Sequence, residues 1–220
     1  MSDVWDRRIR RASELQREWP FAADLLGFYR ALAAVQRDLS RLDRSEALVR
    51  LVAWIAERAP VALAAQARAW KPDPVRCWLE EESRSHAPGG CARNCPSPLY
   101  HFLRDALGQA FAVGRRVADP ARAELRGESP CCAAPPVASI LREDREAGAL
   151  RRTLLCGRCA HEWNFPRLLC PQCREERPEK LPRYGAAEIP WVRIEACDSC
   201  RRYLKAIDLS KNPAAEPLVD

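Results

Sequence analysis

The chain has 220 residues, 47% of them hydrophobic and 30% charged, with a net charge of +6. That balance supports a buried core and excludes wholesale disorder. No run of roughly 18 or more apolar residues occurs, which excludes a membrane-spanning helix. The opening stretch MSDVWDRRIRRASELQREWP lacks the apolar centre of a cleaved export signal.

The chain reads as helical up to about residue 115. Phe21, Leu25, Phe28, Leu32, Val35 and Leu39 recur at three- and four-residue steps and predict an amphipathic helix over 21–42. Leu48, Leu51, Val52 and Ile55 predict another over 45–59, with Ser45 ahead of it and Pro60 closing it. Asp73 and Pro74 suit the start of a short helix running through Cys77, Trp78 and Leu79. Leu99, Phe102, Leu103, Leu107 and Phe111 predict a further helix over 97–113. Such helices bury their apolar faces in a bundle.

The segment HAPGGCARNCPSP, 86–98, interrupts this pattern as a loop, and a second proline-rich break runs over 119–136. A helical domain over 1–120 and a cysteine-rich domain over 121–220 are therefore expected. In the second part, short β-like runs are predicted at 137–141, 150–155, 163–169, 191–196 and 203–208, most of them next to a cysteine pair or a turn. The fold class is α+β: an N-terminal helical bundle and then a small β domain. The β domain's apolar runs are short, so metal binding is expected to supply much of its folding free energy.

Of the 11 cysteines, eight lie between Cys131 and Cys200. Three true Cys-x-x-Cys pairs are present: Cys156/Cys159, Cys170/Cys173 and Cys197/Cys200. In a chain without an export signal this pattern points to metal rather than disulfides. Two residues between ligands form a tight knuckle that brings both sulfurs to one ion, and a tetrahedral site needs two knuckles. Cys170, Cys173, Cys197 and Cys200 make one complete site. Cys156 and Cys159 need partners, which Cys132 and the adjacent Cys131 provide as candidates. His161 is an alternative fourth donor that reads more simply as a surface residue. The loop residues His86, Cys91, Cys95 and His101 fit no common metal spacing, and Cys77 reads as a small buried residue. Four thiolates hold iron or zinc alike, so two metal ions of either kind are expected.

These residues also resemble a known family. The run Pro136-Val137-Ala138-Ser139, then Cys156-x-x-Cys159-Ala160-His161-Glu162-Trp163, then Arg167 ahead of Cys170 and Cys173, and finally Cys197 and Cys200 leading into Tyr203-Leu204-Lys205 are similar to the formate dehydrogenase accessory protein FdhE family. The resemblance covers about 129–218. It implies two rubredoxin-like or zinc-ribbon sites behind a helical domain. It also implies a non-catalytic, cytoplasmic accessory role on the catalytic subunit of an exported formate dehydrogenase, before export. Three departures stand out. Aligned on Pro136-Val137, Ser129 takes the place of the first knuckle's first cysteine, and Cys132 keeps the second's. The chain stops at Pro217-Leu218-Val219-Asp220, where the family continues into a further helix, and it is shorter than typical members.

Two other function classes compete. A zinc ribbon that binds nucleic acid would use Arg151, Arg152, Arg201, Arg202 and Lys205, but Glu175, Glu176, Glu179, Glu195 and Asp198 are interspersed with them. A small iron–thiolate electron carrier would need an exposed iron site. No dinucleotide fingerprint, phosphate loop or catalytic triad supports an enzyme. The accessory reading is preferred, with no nucleic-acid partner and no membrane insertion. Trp163, Phe165, Trp191 and Tyr203 are its candidate contact residues if exposed, and core residues if buried.

Overall fold

Among the described residues, helix-forming periodicity in the first part becomes five helices: α1 (Ser2–Glu18), α2 (Ala23–Leu39), α3 (Arg44–Arg58), α4 (Val61–Arg68) and α5 (Pro98–Ala112). The computed structural model describes residues 2–70, 98–112, 127–144 and 148–220. Expectations for the helix from Asp73, and for Cys77, His86, Cys91 and Cys95, fall outside the described residues. The chain divides into two units, 1–113 and 114–220.

In the first unit, α1 was not singled out by periodicity. It buries Trp5, Ala12 and Leu15 along one stripe, with Arg8 on the same side. Arg8 stays buried because its guanidinium lies 4.7 Å from the Trp5 ring centre and its Nη1 lies 3.4 Å from Gln109 Oε1 on α5. The face expected on α2 changes along its length. Phe21 is 86% exposed and Leu25 is 70% exposed. Phe21 falls in the 3₁₀ turn before the helix, so the helical phase begins after it. The buried positions are Ala33, Gln36 and Leu39, and the Gln36 amide is satisfied by donating from Nε2 to Ala106 O at 2.9 Å.

Asp43, rather than Ser45, caps α3. Its Oδ1 accepts from the backbone N–H of Ser45 at 2.9 Å and of Glu46 at 3.0 Å. Pro60 does more than end α3: it is also the N-cap of α4. Leu39, Leu48, Leu51, Ile55, Leu99, Leu103 and Leu107 form the buried centre of this unit. Each such side chain contributes about 1.5–3 kcal/mol by leaving water.

The second unit is a six-stranded sheet of β1 (Pro136–Asp144), β2 (Ala149–Cys156), β3 (Glu162–Asn164), β4 (Arg183–Gly185), β5 (Val192–Cys197) and β6 (Arg202–Asp208). The strand order is β3-β2-β1-β6-β5-β4. All pairings are antiparallel except β1 with β6, which is parallel and aligns Ala138 with Lys205 and Ile140 with Ile207. The strand expected over 163–169 shrinks to three residues. Pro166 has no N–H to give a ladder, and the chain turns there toward Cys170. The short strand β4 had no periodicity to reveal it. With helices in one unit and a sheet in the other, the expected α+β class is borne out.

The sheet contains a tandem repeat. Each half runs turn, two strands, turn, strand. Ser129 and Cys170, Cys132 and Cys173, Cys156 and Cys197, and Cys159 and Cys200 all stand 41 residues apart. The third strand of the second half, β6, pairs with the first strand of the first half, β1.

The Asp43 cap on α3 is directly testable. Asp43→Ala should cost about 1 kcal/mol of stability, because it frees two helix N–H groups. Ser45→Ala should be close to neutral. Urea melts of the two variants followed by circular dichroism distinguish them.

Candidate metal centres

Four turns in the second unit share one geometry. In each, the residue after the second ligand position has a left-handed backbone: Ala133 (φ 53°), Ala160 (φ 54°), Arg174 (φ 63°) and Arg201 (φ 57°). Its N–H donates to the carbonyl of the first ligand position: Ala133 to Ser129 at 2.8 Å, Ala160 to Cys156 at 3.1 Å, Arg174 to Cys170 at 3.0 Å and Arg201 to Cys197 at 2.8 Å. In three of them the first position's own N–H closes the loop: Ser129 to Ala134 O, Cys156 to His161 O and Cys170 to Glu175 O. The fourth runs directly into the β5–β6 ladder, where Cys197 pairs with Arg202. The left-handed conformation costs a side-chain-bearing residue about 1–2 kcal/mol, which the hydrogen bonds closing each turn partly offset.

The knuckles bring the cysteines together in two groups. Cys170, Cys173, Cys197 and Cys200 form one, and Cys132, Cys156 and Cys159 the other; within each group the sulfurs lie within 4.8 Å of one another. Cys170 Sγ is 3.7 Å from Cys200 Sγ, Cys173 Sγ is 3.6 Å from Cys197 Sγ, and Cys132 Sγ is 3.5 Å from Cys156 Sγ. Two sulfurs bound about 2.3 Å from one tetrahedral ion stand about 3.8 Å apart, so both groups fit an ion. A disulfide, at about 2.05 Å, does not match these distances.

The remaining candidates fall elsewhere. Cys131 is half-buried and sits between the two ligand positions of its knuckle, where the other three knuckles carry Arg158, Gln172 and Ser199. It is not among the converging sulfurs. His161 is likewise outside the group; its ring stacks on Trp163 with centres 6.4 Å apart. His101 lies on α5, edge-on to Tyr100. The residue placed beside the first group is Ser129, whose Oγ is 3.4 Å from Cys159 Sγ.

Crowded thiols share charge unevenly. Hydrogen bonds from the Cys156 and Cys159 thiols hold Cys132 far below its ordinary value, and the same contact with Cys132 pushes Cys156 and Cys159 up. At the second group burial opposes charge on Cys197, yet the Cys200 N–H and the thiols of Cys173 and Cys200 hold it below its ordinary value. In each group one thiol therefore ionises more readily than the ordinary cysteine. A cation must displace the remaining thiol protons to bind.

Buried polar groups tie the two halves together. The Arg152 side chain, on β2, is 4% exposed and donates from Nη2 to Glu195 Oε2 on β5 at 2.8 Å. Its Nη1 donates to Pro166 O at 2.9 Å and to Leu169 O at 3.2 Å, just ahead of Cys170. Ser139 Oγ and Arg193 Nη2 also donate to Glu195, at 3.0 and 3.1 Å. Burial works to raise the Glu195 carboxyl, but the Arg152 charge and these donors hold it below its ordinary value. Periodicity missed this network, because Arg152 and Glu195 read in the sequence as two more surface charges. Gly127 adds a backbone contact: a Cβ there would lie 1.7 Å from Pro171 O in the third knuckle.

The aromatic candidates divide by burial. Trp163 and Phe165 are core, at 3% and 4% exposure, whereas Tyr203 is 74% exposed. Trp191 is half-buried and donates from Nε1 to Asp220 Oδ1 at 3.0 Å.

Residues 129–167 match the family model described as "FdhE, central domain". They span the first two knuckles and β1–β3. The resemblance to the FdhE family is borne out. A protein described as an FdhE homolog from Stutzerimonas stutzeri A1501 is 34% identical over 127 residues, 56% of this chain and 41% of that protein. An FdhE homolog from Shewanella oneidensis MR-1 is 33% identical over 154 residues, 68% of this chain and 48% of that protein. The chain thus spans less than half the length of these curated relatives. The crystal structure of the FdhE protein from Pseudomonas aeruginosa superposes with a TM-score of 0.69, covering 98% of this chain and 86% of that one, at 21% identity. This chain thus carries its two cysteine groups on a fold similar to that of the Pseudomonas aeruginosa protein.

Two outcomes test this geometry. Arg201→Val should lower the stability of the second unit by about 1–2 kcal/mol, since a branched side chain resists the left-handed backbone, whereas Arg201→Gly should not. Thermal denaturation of the two variants checks it. Glu195 has a lowered folded value, so its contribution is complete above the ordinary carboxylate range and is lost as pH falls through that lower value. Glu195→Gln should cost about 3–5 kcal/mol at neutral pH by leaving Arg152 buried and unpaired. Its deficit against the unsubstituted protein should narrow toward acid, as pH-dependent urea melts would show.

Proposed function

We propose that this protein is an accessory factor in the maturation of a formate dehydrogenase, and that it binds the enzyme's catalytic subunit in the cytoplasm before export. The observation that carries this reading is the FdhE central-domain match over 129–167, seated on the first cysteine group. The remaining chemistry is consistent with a binding role. Each unit has its own buried core, and the titratable groups that are buried, such as Arg152 and Glu195, are engaged with one another. Among the described residues no helix is long and apolar enough to cross a membrane.

In this reading the cysteine groups are metal centres, holding zinc or iron through Cys132, Cys156 and Cys159 and through Cys170, Cys173, Cys197 and Cys200. A bound ion supplies cross-linking energy to a β unit whose own apolar core is small. The protein acts as a chaperone-like docking module without a reaction of its own. Its client-facing side includes Tyr203 and Tyr184, which are 74% and 60% exposed. The register pairs Tyr184 with Ile194 and Tyr203 with Ala196, two residues apart on β5, so both tyrosines project from the same face of the sheet.

The test is complementation. The chain is expressed in a bacterium that lacks its own FdhE protein, and formate dehydrogenase activity is measured together with co-purification of the catalytic subunit. Restored activity and a captured catalytic subunit are expected. Tyr203→Ala combined with Tyr184→Ala should reduce capture at least several-fold while leaving metal content unchanged. A folded chain that restores no activity and captures no catalytic subunit refutes the reading.

A further inference from the structure

The two cysteine groups are repeats of one another, yet one has three sulfurs and the other four. The 41-residue offset places Ser129 where the second half has Cys170. Its backbone is that of a ligand position. It accepts the Ala133 N–H and donates to Ala134 O, as Cys170 accepts from Arg174 and donates to Glu175 O. Its side chain is in the same situation. Cys156 Sγ accepts from the N–H of Arg158 and Cys159, both at 3.4 Å, two and three residues on. Ser129 Oγ accepts from the N–H of Cys131, two residues on, at 3.3 Å.

Ser129 is also 3% exposed, so its hydroxyl faces the group and not solvent. An ion bound about 2.0 Å from oxygen and about 2.3 Å from sulfur puts those two donors about 3.5 Å apart across a tetrahedral edge. The distance from Ser129 Oγ to Cys159 Sγ is 3.4 Å. Cys131 occupies the position that carries Arg, Gln and Ser in the other three knuckles.

We propose that Ser129 is the fourth donor of the first centre, which takes a divalent borderline cation such as Zn²⁺ through three thiolates and one hydroxyl and releases it before the second centre does. This rests on the reading of both groups as metal centres. A neutral hydroxyl is a harder and weaker donor than a thiolate, and it leaves the first centre with one negative charge fewer than the second. Zn²⁺ accepts oxygen beside sulfur without a geometric penalty. The two centres therefore have the same shape and unequal hold, with the weaker one inside the FdhE central-domain segment.

The experiment is a Co²⁺ titration of the full metal-free chain under reducing conditions. Absorption reports the donor set, and a chelator competition reports affinity. Two ions should bind per chain, the tighter with a four-thiolate spectrum and the weaker with a three-thiolate one. Ser129→Cys should convert the weaker spectrum to the four-thiolate form and tighten that centre by at least about tenfold. Ser129→Ala should weaken it further and change its ligand-field bands, and Cys131→Ala should leave it unchanged. A Ser129→Ala protein identical to the unsubstituted chain, or a weaker centre abolished by Cys131→Ala, overturns the role of Ser129. Binding of a single ion, at the four-cysteine group only, overturns the first centre itself. Absence of any ion, the four-cysteine group included, overturns the metal-centre reading along with it.

Discussion

The second unit depends on one backbone device, the hydrogen bond from the residue after each second ligand back to the carbonyl of the first. It closes a turn tight enough to aim two side chains at one point. It does so only by forcing Ala133, Ala160, Arg174 and Arg201 into the left-handed region. None of these four is glycine, so each turn carries a cost of about 1–2 kcal/mol that its own hydrogen bonds only partly offset. The turns aim their side chains at two common points, and a cation bound there would hold turns that the local sequence would otherwise relax.

The repeats are held in register by more than the parallel β1–β6 pairing. Arg152 reaches from β2, the strand that ends at Cys156, to Glu195 on β5, the strand that ends at Cys197, and to the carbonyls just before Cys170. A buried ion pair of this kind contributes little net stability, since desolvation offsets its attraction. Its hydrogen bonds are directional, however, and they specify where three of the four knuckles sit relative to one another. The close approach of Gly127 to Pro171 O extends this specification to the segment leading into the Ser129 knuckle. The helical unit needs no such device, because Leu48, Leu51, Ile55, Leu103 and Leu107 provide an ordinary apolar core.

An accessory role and a pair of unequal centres fit together physically. A docking module would have to keep its shape without a large core, and an ion at the four-sulfur group would serve that need. A centre with one weak donor would respond more readily to metal supply. Its position within the FdhE central-domain segment puts that response in the part of the chain most recognisable as FdhE.

Much of this was legible in the chain itself. Helical spacing located α3 and α5 because their apolar residues pack on one continuous face. The three Cys-x-x-Cys pairs announced the knuckles because a two-residue spacer has few other uses, and the alignment on Pro136-Val137 already put Ser129 in a cysteine's place. Other features depended on distant contacts. Phe21 and Leu25 continue a perfect apolar period and yet are exposed, because a period marks a face without naming what covers it. Asp43, two residues before the expected start of α3, is its cap through a turn geometry that composition does not encode. Arg152 and Glu195, 43 residues apart, became a buried pair only when the sheet brought β2 and β5 over one core. Local spacing determined which side chains share a turn, because a turn is a property of a few consecutive dihedral angles. Chain order also paired the turns, but only the tertiary structure decided that Ser129 and not Cys131 stands beside the first group and that Arg152 and Glu195 link the two halves, because that depends on strand register, burial and the groups satisfied between them.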